Sequence, residues 1–175
     1  MTSNPSGQRI LGTLRAEDGV GVVRIEERFA AGIDEVWSAL TEPERLARWY
    51  ADVEGDLRVG GEIHVRVFAS GAEGNRRITA CDPPRGFTVV SKKPDQAGED
   101  TFVVTLGADG DQTVLVFEHH GIPLDLLFAY GAGEQIHVED LGAHLAGRER
   151  DSAEARWEAL ESAYRGPAEK IAPQR

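Results

Sequence analysis

Residues 22–67 read VVRIEERFAAGIDEVWSALTEPERLARWYADVEGDLRVGGEIHVRV, and the changes of period along this stretch decide the fold. Val23, Ile25 and Phe29 alternate with Arg24, Glu26 and Arg28, the period of two of a half-buried strand. After Ala30-Ala31-Gly32 the period becomes helical. Ile33, Val36 and Leu40 share one face, and Asp34 and Glu35 occupy the first turn, where carboxylates complement exposed amides. Thr41 is the expected N-cap of a second helix, with Pro43 near its first turn, Glu44 at the capping-box position, and Leu46 and Trp49 as apolar contacts. Gly60-Gly61 then turns the chain into a strand bearing Ile63, Val65 and Val67.

On the N-terminal side, Ile10 to Leu14 pairs with Val20 to Phe29 through Glu17-Asp18-Gly19, because Asp-Gly supplies the positive φ angles of a tight hairpin. On the C-terminal side, glycine- and proline-rich turns separate Arg77 to Cys81, Phe87 to Ser91, Thr101 to Leu106 and Thr113 to His119. The count is six or seven antiparallel strands, with Lys93 to Asp100 as a long polar loop. Past Gly121-Ile122-Pro123 the pattern is helical. Val138, Leu141 and Leu145 form one stripe over about 133–146, and Gly147 is the expected C-terminal stop. Asp151 to Glu154 reads as a capping box ahead of a further short helix carrying Trp157, Leu160 and Tyr164, available for packing on the body or for pairing two copies as a homodimer.

Val36-Trp37-Ser38-Ala39-Leu40-Thr41, Glu44-Arg45-Leu46-Ala47-Arg48-Trp49, Leu57-Arg58-Val59-Gly60-Gly61, and Asp82-Pro83-Pro84 with His119 downstream resemble the proteins related to the C-terminal domain of the Hsp90 ATPase activator, within the START-like or Bet v 1-like superfamily (SRPBCC). The resemblance covers about residues 20–147. It implies an α+β helix-grip fold, a curved antiparallel sheet wrapped around a long C-terminal helix. Members of this family bind ligands, catalyse or assist chaperones, so the likeness fixes shape rather than task. The organisation expected is a disordered stretch at 1–8, a helix-grip domain at 9–147, and a helical extension and tail at 148–175.

The 175 residues, 41% of them hydrophobic, suffice for one sizeable core. A formal net charge of -11 argues against nucleic-acid binding, which draws its affinity from clustered cations. Arg76-Arg77 and Lys92-Lys93 are the adjacent basic pairs, and they read as solvated loop charge. The single Cys81 excludes an internal disulfide and reads as a small buried residue. The N-terminal residues lack an apolar run of signal or membrane-spanning character, so a cytoplasmic protein without a membrane span is expected.

A curved sheet under a one-face helix leaves a cavity, the default ligand site. Leu115, Phe117 and His119 share one face of their strand. The resemblance turns that face inward and places His119 near the mouth of the cup. Glu134 falls at the centre of the Val138-Leu141-Leu145 stripe, with His137 and His144 along its edge. Relatives often carry Trp at the place of Glu134. If the helix begins near residue 133, Glu134 sits in its frayed first turn and both histidines are part-solvated flank residues. Glu134-x-x-His137 matches half of a di-metal carboxylate pattern, but no second half exists, and neither a metal nor another cofactor is expected. Trp37 reads as a core anchor. Trp49, beside Tyr50, borders the cavity entrance.

With no nucleophile motif or phosphate loop, no catalytic residue is assigned. A binding protein for a largely apolar small molecule is the leading expectation, with Trp49, Leu115, Phe117, His119, Glu134, His137, Val138, Leu141 and Leu145 as cavity residues. A polyketide-cyclase-like enzyme using His119, Glu134 and His137 comes second. An Hsp90-activator-like interaction role comes third, because the chain has no room for the additional N-terminal domain of the eukaryotic activators. The unpaired carboxylate of Glu134 favours ligands with a polar or cationic group over anions, unless an arginine reaches the mouth.

Overall fold

The hairpin that opens the main sheet joins β3 (Gly12–Glu17) to β4 (Val20–Phe29). It turns at Asp18 (φ 53°) and Gly19 (φ 84°), the two positive φ angles that its Asp-Gly sequence anticipates. A computed structural model describes residues 2–3, 9–92 and 98–171 of the chain. Two residues expected to be disordered, Thr2–Ser3 (β1), pair with Arg9–Ile10 (β2). The rest of 1–8 lies outside the described residues.

After β4 the chain crosses the molecule through α1 (Ile33–Thr41) and α2 (Pro43–Trp49), then returns in a meander. The meander comprises β5 (Ala51–Gly55), β6 (Glu62–Val67), β7 (Glu73–Asp82), β8 (Gly86–Lys92), β9 (Glu99–Asp109) and β10 (Gln112–Ile122). The eight-stranded order is β3-β4-β10-β9-β8-β7-β6-β5, with every pairing antiparallel. The sheet thus has one strand more than the six or seven expected. The addition is β5, where Val53 alone among acidic neighbours gives no readable alternation. The polar loop is shorter than Lys93 to Asp100, because β9 already begins at Glu99; residues 93–97 lie outside the described residues.

Thr41 does not cap α2. Its hydroxyl donates to the Trp37 carbonyl at 2.7 Å and so closes α1, and Glu42 stands at the N-cap of α2 instead. The long helix α3 spans Leu127–Leu145, beginning six residues earlier than the apolar stripe suggested, behind a 3₁₀ turn at Leu124–Leu126. It ends in a Schellman arrangement, with Gly147 at φ 68° donating to His144 O and Arg148 donating to Ala143 O.

The last helix, α4 (Ala153–Glu169), is long rather than short, and Ser152 caps it, not Asp151. The Ser152 hydroxyl accepts from the Ala155 amide at 3.3 Å. Ser152→Ala should cost about 1 kcal/mol, a small drop in the urea midpoint with an unchanged m-value. α4 packs on α3 through Leu160, Ala163 and Tyr164, all buried with Ile10, Ala132 and Ile136. The main core lies between the sheet and the helices, built from Val23, Ile25, Val36, Leu115 and Leu141 among others.

Candidate functional site: an aromatic cavity with one polar wall

Between the sheet and α1–α3 lies a cavity of about 380 Å³. The sheet contributes Ile63 and Val65 from β6, Ile78 from β7, Phe87 and Val89 from β8, Phe102 and Val104 from β9, and Leu115 and Phe117 from β10. These side chains share a face because residues two apart on a strand point the same way. The opposite wall is made by Trp37 and Leu40 of α1, Trp49 of α2, Tyr50, and Val138 and Leu141 of α3. Leu57 and Cys81, both exposed, mark the opening.

Apart from Thr41, whose hydroxyl donates to the Trp37 carbonyl, the charged and imidazole groups of the lining are Arg76 of β7 with Glu134 and His137 of α3, close enough for the Arg76 charge to act on both. His119 is 2% exposed and does not line the cavity, so it stands behind that wall and not at the mouth expected for it. Its Nδ1 lies 2.7 Å from Glu134 Oε1 and its Nε2 3.1 Å from Asp100 Oδ1. A ring with a carboxylate oxygen at each nitrogen donates from both, which makes it an imidazolium. Burial alone would lower the pKa of His119, but the hydrogen bonds and charges of Asp100 and Glu134 outweigh it and leave that pKa raised. Burial likewise works to raise the pKa of Glu134, yet the His119 hydrogen bond and charge hold it below the usual carboxylate range. Phe102 and Tyr130 pack against the imidazole at 4.3 and 5.3 Å between ring centroids.

His137 also lines the cavity, edge-on to the Tyr50 ring with centroids 5.0 Å apart. Burial and the Arg76 charge together lower its pKa despite Glu134 and Asp140 nearby. It is a neutral imidazole at neutral pH. His144 sits elsewhere, taking a hydrogen bond from Arg45, whose guanidinium also reaches Glu35 and Ser38 and so ties α1, α2 and α3 together.

Several expectations need correction. Glu134 lies in the body of α3, not in a frayed first turn, and its charge is already engaged by His119. The argument for cationic ligands therefore lapses. Leu145 packs on the core and does not reach the cavity. Cys81 is exposed rather than buried. Trp37 is half-buried on the cavity wall, edge-on to Phe87 at 5.9 Å, rather than a plain core anchor. Trp49 is 5% exposed, donates from Nε1 to Ala39 O at 3.0 Å, and lines the cavity.

Arg76 is the residue that sequence reasoning missed. It lies within β7, not in a loop, with its guanidinium 4.7 Å above the Phe102 ring and Nη1 donating to Tyr50 Oη at 3.2 Å. Its parity with Ile78 was the available signal. Starting the strand at Arg77 concealed it. Among the described residues no group of three or more His, Cys, Asp or Glu side chains is arranged to hold a metal.

The model of the family described as Activator of Hsp90 ATPase homolog 1-like protein matches residues 30–146. The chain belongs to that family. Among solved structures it resembles CalU16 from Micromonospora echinospora, whose crystal structure is 25% identical at a TM-score of 0.74, with 90% of this chain and 96% of that one covered. The solution structure of the same protein covers 95% and 99% at the same TM-score. The BPP1335 protein of Bordetella parapertussis (22% identity, TM-score 0.68, 94% of each chain) and EF2215 of Enterococcus faecalis (17%, 0.72, 93% and 92%) share the fold. A comparison with curated proteins returned no match. No helix among the described residues is long and apolar enough to cross a membrane.

Proposed function

We propose that this protein is a cytoplasmic small-molecule carrier or sensor that encloses one largely apolar ligand between the sheet and α3. The observation that carries the reading is what the cavity spends on aromatic surface. Two of the three tryptophans and three of the six phenylalanines of the chain line it, with Tyr50. Ring faces and edges favour planar or aromatic guests by stacking and edge contacts. Each Å² of apolar ligand surface withdrawn from water is worth about 25 cal/mol. Arg76 and His137 supply a donor and an acceptor at one end, and the Glu134 carboxylate in the same lining offsets the Arg76 charge, so the fitting ligand is neutral and bears an oxygen there.

Native mass spectrometry of the purified protein, followed by denaturing extraction, identifies any copurified guest. A panel of neutral, cationic and anionic hydrophobes followed by tryptophan fluorescence should show the neutral oxygen-bearing ones bound most tightly. Leu141→Trp, which fills the cavity from α3, should weaken them about tenfold or more, equivalent to roughly 1.4 kcal/mol. Equal binding by the filled variant would place the ligand elsewhere and refute the reading.

A further inference from the structure

The polar wall of the cavity holds two side chains whose hydrogen-bonding capacity the protein does not use up. His137, part-buried against the cavity, makes no hydrogen bond to the protein among the described residues, which leaves its ring nitrogens available to a guest. Arg76 makes no ion pair among the described residues; its guanidinium rests on Phe102 and spends one hydrogen bond on Tyr50 Oη. Glu134, one helical turn before His137, is fixed by His119 and still lines the cavity. A neutral imidazole thus lies within the field of a cation and of a fixed anion in a chamber lined mainly by apolar side chains.

We propose that this wall catalyses proton transfer at the carbon next to the carbonyl of an apolar aryl ketone, with His137 as the base and Arg76 holding the carbonyl oxygen. The inference rests on the ligand-binding reading and adds an activity to it. In the forward step the α-C–H bond breaks and its proton passes to a ring nitrogen of His137. The bonding pair becomes the carbon–carbon double bond of the enolate, and the carbonyl π pair moves onto oxygen, where the Arg76 N–H groups donate to it. Return of a proton from the imidazolium to carbon restores the ketone, so the exchange balances without a co-reactant.

The fixed charges match what develops in this step. The uncharged base and ketone become an imidazolium beside Glu134 and an enolate beside Arg76, so the site interacts more strongly with the transition state than with the bound ketone. The groups that face His137 are Glu134 and Asp140 of α3, Arg76 of β7, Arg156 of α4 and the Tyr50 ring. Burial, with the two arginines, keeps the imidazole unprotonated and ready as a base at neutral pH. Glu134 is the poorer base, because its carboxylate already accepts from His119 and its pKa is depressed.

The test uses 1-indanone, a flat aryl ketone with exchangeable α-hydrogens, incubated with the full chain in D₂O. Proton NMR reads loss of the α signals, and tryptophan fluorescence reads binding separately. Exchange should saturate with ketone and exceed the buffer rate. It should rise with pH through the depressed pKa of His137 and then level, since only the neutral ring accepts a proton. His137→Gln should lose about 10²-fold or more in exchange rate while still binding the ketone. Arg76→Gln should lose a similar factor. If His137→Gln fails to fold, Arg76→Gln and the wild-type pH profile decide. Binding without exchange above buffer, a flat pH profile, or a His137→Gln variant as fast as wild type would overturn the activity and leave the binding reading standing. Failure of 1-indanone to bind would overturn the activity together with its aryl-ketone class, and the Leu141→Trp experiment would then judge the binding reading alone.

Discussion

Replacing Tyr164 by alanine is expected to lower the free energy of unfolding by about 3 to 5 kcal/mol, the usual cost of truncating a fully buried aromatic. Tyr164 is 0% exposed and inserts between two chain segments that only glycine allows so close. A Cβ built on Gly12 would stand 2.7 Å from its hydroxyl oxygen, and one built on Gly131 would stand 2.8 Å from its ring. The hydroxyl donates to Gln135 Oε1 at 2.6 Å and accepts from the Gly12 amide at 2.8 Å. Gln135, itself 0% exposed, takes a further bond from the Leu11 amide and donates to the Arg9 carbonyl. One side chain of α4 thereby fastens α3 to the N-terminal strands. Tyr164→Phe keeps the ring but strands the Gly12 donor, and should cost about 1 to 3 kcal/mol. Urea titrations of the three proteins give the comparison. An alanine variant as stable as wild type would mean that α4 does not pack where it is described.

The same contact explains why α3 was read too short. Leu127 to Gln135 carries Gly131 and Gly133, which lower helix propensity and resemble a loop when no partner is known. Gly131 is there because the Tyr164 ring occupies the space its side chain would need, a long-range requirement that local pattern does not carry. The parts that were legible depend on short-range physics. Val23, Ile25 and Phe29 alternate because β4 has one buried face, and Asp18-Gly19 turns because few other pairs adopt two positive φ angles cheaply. Inside the cavity the same division holds. Leu115, Phe117, Val138 and Leu141 follow from parity and helical phase once the family resemblance turns that strand face inward. The engagement of Glu134 by His119 and the entry of Arg76 depend on which strands lie opposite α3. The pairing His119↔Phe102 fixes that geometry, and no window of sequence contains it.

Breaking the His119–Glu134 pair should be the second large effect. Removing one member of a buried ion pair typically costs about 3 to 5 kcal/mol, because the remaining charge is left without a partner. Glu134 keeps 13% of its side chain exposed to the cavity, which places His119→Gln near about 3 kcal/mol. That variant also leaves Asp100 and Glu134 without the cation between them. The pH dependence has a defined sign. The raised pKa of His119 contributes stability that is complete below its unfolded value of about 6.5 and is lost as pH rises through the folded value. The lowered pKa of Glu134 contributes stability that is complete above its unfolded value of about 4.3 and is lost as pH falls through the folded value. The difference in unfolding free energy between wild type and His119→Gln should therefore be greatest from about pH 4.5 to 6.5 and shrink at higher pH. Urea unfolding at intervals from pH 4 to 9 measures it. A double-mutant cycle with Glu134→Gln separates the direct coupling from the Asp100 contribution. A difference that stays constant across this range would show that His119 is not held as an imidazolium, and the electrostatic account of the polar wall would fail with it.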